Sequence, residues 1–317
     1  MDGPRTLVRS SHSLEATPDG SLILIAEARQ QFRDIMNALE TDAAVKVVIF
    51  ESAVEGFFLN HSDFLAKLED LTGIPQGPTG LEAWPDILVR LTRAPVVSIA
   101  LIRGRATGNG SELALACDMT FVSREKAILS QWEVGVGLVA GGGPMARLPR
   151  LMGRARALEV LLGSDDIRGD EAEFLGYVNR SLPDADLDGF VDALATKIAS
   201  FDKRTIMDTR RLVNIAGLPP DIEIESGWNA CLASMARPAT QERIKELIGM
   251  VRLTTAERGL FLLDSRNAET RSNGWHPERQ QLRKGHFHWR PIALSCRDTH
   301  RQPRRHYTAC SARAEGG

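Results

Sequence analysis

The sequence predicts an α/β fold of repeated βα units followed by a C-terminal helical region. Three observations carry that prediction. Two β-branched runs, at 47–50 and 95–102, suit buried strands; apolar residues recur at helical spacing around them; and the strand signal fades beyond Leu182. With 43% hydrophobic and 25% charged residues among 317, the chain can bury a large core and need not be disordered.

The first helix is expected from about Ile25, where Ile25, Ala28, Phe32, Ile35, Met36 and Leu39 share one face. Residues 43–46 lead into the strand Val47-Val48-Ile49-Phe50, and the second strand runs from Pro95 to a stop at Gly104. Gly108-Asn109-Gly110 breaks the chain, and 111–117 follows as a short helix of strong helix formers. Residues 118–123 form another strand. A glycine-rich stretch, 135–143, gives way to helical patterning through Arg147, Leu158, Leu161 and Leu162, with Gly153 and Gly163 marking ends. Amphipathic patterns then cover 187–198, 203–215 and 222–247, the last read as one long helix suited equally to an oligomer contact or to the chain's own core. Past Leu260 the periodicity collapses, which divides the chain into an α/β core at 21–182, a helical region at 183–260 and a basic, disordered tail at 261–317.

Charge follows the same division. Residues 251–317 hold 13 Lys and Arg against 6 Asp and Glu, so the net −2 divides into +7 there and −9 over 1–250. The acidic body argues against nucleic acid as a main partner. Four scattered cysteines do not make a disulfide framework and point to a reducing compartment. Residues 1–10 lack the apolar stretch of a signal peptide, and no segment approaches a membrane span, so a cytoplasmic protein is expected.

Two carboxylates stand out between Arg93 and Pro149. Glu112 falls in the first turn of a helix whose free N–H groups, at 109–111, can polarise a carbonyl oxygen, and Glu133 lies where a strand ends. Here Arg93-Ala94-Pro95-Val96-Val97 through Gly104, with Gly108-Asn109-Gly110-Ser111-Glu112-Leu113-Ala114-Leu115-Ala116-Cys117-Asp118, resembles the crotonase (enoyl-CoA hydratase/isomerase) family. Gln131-Trp132-Glu133-Val134-Gly135-Val136-Gly137, Arg147-Leu148-Pro149-Arg150-Leu151-Met152-Gly153 and the strand-like Gly176-Tyr177-Val178-Asn179 agree with it. Phe57-Phe58-Leu59-Asn60-His61-Ser62-Asp63-Phe64 resembles the loop that supplies half of that family's oxyanion hole, and the likeness spans roughly 21–247.

The resemblance implies a crotonase-like fold, an acyl-CoA substrate, and a homotrimer or dimer of trimers, with no cofactor beyond the CoA of the substrate and no metal. Residues 1–20 match the family's N-terminal hairpin poorly. The resemblance further implies that the amides of Ser62 and Asn109 hold the thioester oxygen. Glu112 would then activate water and Glu133 protonate C2 as water adds across the 2,3 double bond. Phe58, Asn60, His61, Asp63, Gly108, Gly110 and Trp132 are the residues expected around the substrate. Three positions depart from the family: glycine is usual at 109 and 61, proline at 132. Asparagine is the mildest substitute where a left-handed backbone is needed, while His61 and Trp132 add bulk that bears on acyl specificity.

Other readings compete. An isomerase needs one well-placed acid-base group, and a weakened scaffold would bind acyl-CoA without hydrating it. Gly135-Val136-Gly137-Leu138-Val139-Ala140 fits a dinucleotide fingerprint, but 130–133 is a poor strand before it. Cys296, His300, His306 and Cys310 have metal-ligand chemistry, at a spacing tighter than zinc fingers use.

Overall fold

The computed structural model describes Leu24 and residues 26–62, 73–253 and 287–292. Helix α1 (Ala26–Thr41) buries Ala28, Phe32, Ile35, Met36 and Leu39, the face its spacing predicts. Strands β1 (Val47–Ser52) and β2 (Phe57–Leu59) precede helix α2 (Ala83–Arg93), and β3 (Val97–Ile102) and β4 (Arg105–Thr107) lead into α3 (Asn109–Ala116). Next come β5 (Met119–Ser123), β6 (Ile128–Ser130) and a 3-10 turn (Glu133–Val136), then α4 (Pro144–Met152), α5 (Arg154–Gly163), β7 (Ile167–Arg168), α6 (Gly169–Leu175) and β8 (Arg180–Leu182). Four helices follow, α7 (Asp184–Ala199), α8 (Lys203–Gly217), α9 (Asp221–Met235) and α10 (Pro238–Leu253), and a last strand, β9 (Phe287–Ile292).

Two sheets organise the core. In the first, ordered β8-β5-β3-β1-β9, all strands but β9 are parallel. Strand β3 is buried along its whole length, which explains why it reads as a continuous apolar run. Pleating divides its side chains: Ala100 and Ile102, with Val48 and Phe50 of β1, join the core beneath α1 and α2, whereas Val97, Ile99 and Leu101, with Val47 and Ile49, meet Leu187, Val191, Ala195 and Ala199 of α7. The second sheet, β2-β4-β6-β7, is parallel across its first three strands. The carboxyl ends of β2, β4 and β6 therefore lie side by side, and the crevice beyond such ends is where open α/β sheets bind ligands.

Several expectations are corrected. The stretch 222–247 is two helices, α9 and α10, parted after Met235. Residues 176–179 form a turn, entered through Gly176 at φ 81°, and the strand lies at Arg180–Leu182 instead. Within the tail, Phe287–Ile292 pair antiparallel with the edge of β1, from Val47↔Ile292 to Ser52↔Phe287. Phe287, His288, Trp289 and Arg290 alternate apolar with polar, but four residues before a proline are too few to mark a strand without its partner edge. Helix α2 was not anticipated, although Trp84, Ile87, Leu88 and Leu91 repeat at helical spacing. Residues 1–20 and the Cys296, His300, His306 and Cys310 set lie outside the described residues.

The start of α3 rests directly on β2. A Cβ at Gly110 would overlap the main-chain carbonyl of Leu59, which no rotamer change relieves. Gly110→Ala is therefore expected to destabilise the protein by about 1–3 kcal/mol, as overpacking does. An unchanged urea midpoint would contradict this close approach.

Candidate active site

Four short segments converge beyond the second sheet. His61 and Ser62 follow β2, Gly108 follows β4, Trp132 and Glu133 follow β6, and α3 begins at Asn109. Hydrogen bonds fix their relation: Gly108 N–H donates to the Ser130 carbonyl at 3.1 Å, and Thr107 Oγ1 donates to Asn60 Oδ1 at 2.6 Å. Gly108 takes the unusual backbone, φ 52° and ψ −116°, and Asn109 is the first helical residue. The expectation that 109 needs a left-handed conformation is thus corrected; glycine at 108 absorbs it. As the first residue of α3, Asn109 carries one of the main-chain N–H groups that have no partner within the helix.

The cleft so formed has a volume of about 70 Å³. Ser62, Asn109, Glu112, Glu133, His61, Gly108 and Trp132 all line it. Three other expected residues do not. Phe58 is fully buried in the main core, as is its neighbour Leu59. Asn60 is likewise buried and occupied by Thr107, and Gly110 is committed to the contact with Leu59. Asp63 lies outside the described residues.

The two carboxyl groups share the cleft but differ in their surroundings. Glu112 is 2% exposed, and donors reach both its oxygens: Gly142 N–H to Oε1 at 2.5 Å, Trp84 Nε1 to Oε2 at 2.7 Å and Asn109 Nδ2 to Oε2 at 2.9 Å. Glu133 is 9% exposed, and its Oε2 is buried without a hydrogen-bond partner. Burial raises both groups above the usual carboxylate range. For Glu133 it does so most, helped by the Glu112 charge, to about 8. For Glu112 the three donors oppose burial, with the Arg147 charge adding to them. The two groups therefore differ in what meets them: donors reach both oxygens of Glu112, whereas Glu133 keeps a buried oxygen that meets none.

The rest of the wall comes from distant parts of the chain. Arg29 reaches in from α1, and Trp228, Cys231, Leu232 and Met235 of α9 close the opposite side. The sequence leaves 222–247 open to an oligomer contact or to the chain's own core, and these four residues take the second role. Burial and the two glutamates push the Cys231 thiol up to about 12, so it stays protonated. His61 stacks edge-on against Trp132 at 5.3 Å, and its Nδ1 lies 2.7 Å from the Ser62 carbonyl, so Nδ1 carries the hydrogen. Trp84, Arg29 and Gly142 were not singled out from the sequence. The α2 periodicity marks Trp84 as inward-facing, but nothing local in the other two reveals what they touch.

Among the described residues, no group of three or more His, Cys, Asp or Glu side chains is placed to hold a metal ion, and no helix is long and apolar enough to cross a membrane.

Residues 23–214 match the family model described as Enoyl-CoA hydratase/isomerase. The mouse mitochondrial enoyl-CoA hydratase domain-containing protein 2 is 35% identical over 144 residues, 45% of this chain but only 48% of its own length. The crotonyl-CoA hydratase of Syntrophomonas wolfei is 30% identical over 195 residues, covering 61% of this chain and 73% of its own. Among solved structures, a Streptomyces avermitilis protein provisionally named an enoyl-CoA hydratase superposes with a TM-score of 0.71 at 34% identity, over 77% of this chain and 92% of its own.

Proposed function

Because the chain belongs to the enoyl-CoA hydratase/isomerase family, we propose that its cleft hydrates a 2-enoyl-CoA thioester. The observation that carries this reading is the asymmetry of the two buried carboxyl groups: Glu112 is surrounded by donors and Glu133 keeps a proton up to about 8. Hydration needs that pairing. Glu112 accepts a proton from water as the water oxygen bonds to C3, the C2=C3 electrons move toward the thioester, and Glu133 gives its proton to C2. Water is consumed whole, and the proton taken by Glu112 returns to Glu133 before the next turnover. The charge that develops falls on the thioester oxygen, where the amides of Ser62 and Asn109 serve as donors; one well-placed donor of this kind contributes about 3–4 kcal/mol. No cofactor beyond the CoA of the substrate is required.

The cleft volume supports a short acyl group. A cavity of about 150 Å³ admits benzene, and this one, walled by Trp132, Trp228 and His61, is about half that. Crotonyl-CoA is expected to exceed a ten-carbon enoyl-CoA in kcat/KM by about 10-fold or more, and Trp132→Ala to shrink that gap, since a few methylenes discriminate at this scale. Equal rates for both substrates in the parent protein would contradict it.

The same reading includes self-association through α8. Leu212, Val213 and Ile215 are more than half exposed there, and Val213 lines a groove of about 870 Å³ together with Phe201 and Leu151. An apolar surface of that kind suits a homotrimer. Sedimentation at micromolar concentration tests it, and a monomer would count against it.

Loss of the enoyl thioester ultraviolet absorbance tests the reaction. Supplying 3-enoyl and saturated acyl-CoA in parallel separates hydration from isomerisation and thioester hydrolysis.

A further inference from the structure

A continuous hydrogen-bonded path runs from α1 to Glu112. Arg29 Nη2 donates to Ser62 Oγ at 3.0 Å, Ser62 Oγ donates to Asn109 Oδ1 at 2.7 Å, and Asn109 Nδ2 donates to Glu112 Oε2 at 2.9 Å. Its direction is forced from the Arg29 end. A guanidinium has donors only, so Ser62 Oγ accepts from it and its own hydrogen points on to Asn109. Asn109 then has its carbonyl toward Ser62 and its amide toward Glu112, which fixes the orientation of the amide group. Trp84 Nε1 and Gly142 N–H are donors as well. Everything that reaches Glu112 offers a hydrogen and nothing can receive one. A protonated Glu112 would have to aim its O–H at a donor.

We propose that Arg29 and the Ser62 hydroxyl are positioning residues that, through Asn109, hold Glu112 as an oriented carboxylate. This rests on the hydratase reading of the same cleft. The path also gives a reason for asparagine at 109, since glycine would leave a gap between Ser62 and Glu112. It joins three elements that sequence separates widely: α1, the end of β2 and the start of α3. Arg29 is itself buried, and burial lowers it to about 10, so it remains a cation at neutral pH. The other titratable groups facing Glu112 are Glu133 on the 3-10 turn, His61 after β2, Arg147 on α4, Tyr177 before β8 and Cys231 on α9. Of these, Glu133 is the other carboxyl group of the cleft, and none of the five belongs to the path.

Arg29→Met and Ser62→Ala, singly and together, test the proposal; Ser62→Ala leaves the main-chain amide in place. Each single variant is expected to raise the acidic limb of the kcat/KM profile by about one pH unit. Each lowers kcat by about 10-fold with KM changed less than about threefold. If Arg29 acts through Ser62, the double variant is no worse than either single one. Ser62→Thr and Arg29→Lys, which keep the hydroxyl and the donor cation, restore most of the activity. Titrating Glu112 by NMR, with glutamate labelled at the side-chain carboxyl carbon and Glu112→Gln as the assignment control, reads the same shift without turnover. An unmoved Glu112 titration, or losses that multiply in the double variant, would overturn the relay. Variants that shift the Glu112 titration as expected, beside a parent protein that hydrates no enoyl-CoA, would instead overturn the reaction and leave the relay standing.

Discussion

Glu133→Gln is expected to lower hydration of crotonyl-CoA by about 100-fold or more, the scale of a lost general acid. The substitution keeps the shape of the side chain and removes the transferable proton. Glu133 is pushed up to about 8 by burial and by the Glu112 charge, so the parent enzyme carries its acid protonated below that pH. Activity should therefore fall as pH rises through about 8, and the descending limb should be absent from the residual activity of Glu133→Gln. Stopped-time assays from pH 6 to 10 check both. A variant that keeps more than a tenth of the activity, with the limb intact, would remove Glu133 from the proposed chemistry.

Gly142→Ala is expected to cost about as much as losing Glu112 itself, again about 100-fold. A Cβ at 142 would overlap the Glu112 carboxylate, whose Oε1 accepts the Gly142 N–H at 2.5 Å. The side chain must leave, and with it go the hydrogen bonds from Trp84 and Asn109 that oppose the effect of burial. Displacement within a cleft need not unfold the protein, so circular dichroism and Tm should change far less than turnover. The matching comparison is Glu112→Gln: the double variant should be no slower than either single one, since both remove the same carboxylate. A Gly142→Ala enzyme with near-parental kcat would show that the carboxylate can work from another position.

How legible this was in the sequence follows from the range of each interaction. The helix α1, strand β3 and the break before α3 are written in local pattern, because spacing of 3.6 and 2 residues needs no knowledge of partners. Strands β4, β6 and β7 are two or three residues long, too short for any period to register, and they are set by pairing alone. Strand β9 exists through its register with β1. The candidate site divides in the same way. Glu112 and Glu133 stand out from their local setting and Ser62 and Asn109 through the resemblance, and all four line one cleft. The groups that set their chemistry come from far along the chain: Trp84 is 28 residues from Glu112, Gly142 is 30, and Arg29 is 33 from Ser62. Phe58 and Asn60 were misplaced for a simpler reason. A loop motif names neighbours in sequence, while Phe58 is taken up by the core and Asn60 by its hydrogen bond from Thr107.

The central claim is that two carboxyl groups of unlike protonation act on one enoyl thioester. Following the thioester chromophore of crotonyl-CoA with parent protein, Glu112→Gln and Glu133→Gln tests it most directly. The account predicts absorbance loss with formation of 3-hydroxybutyryl-CoA by the parent, and at least about 100-fold slower loss in each variant. Parent protein that binds crotonyl-CoA but leaves the chromophore intact, or hydration that survives either substitution, would contradict it.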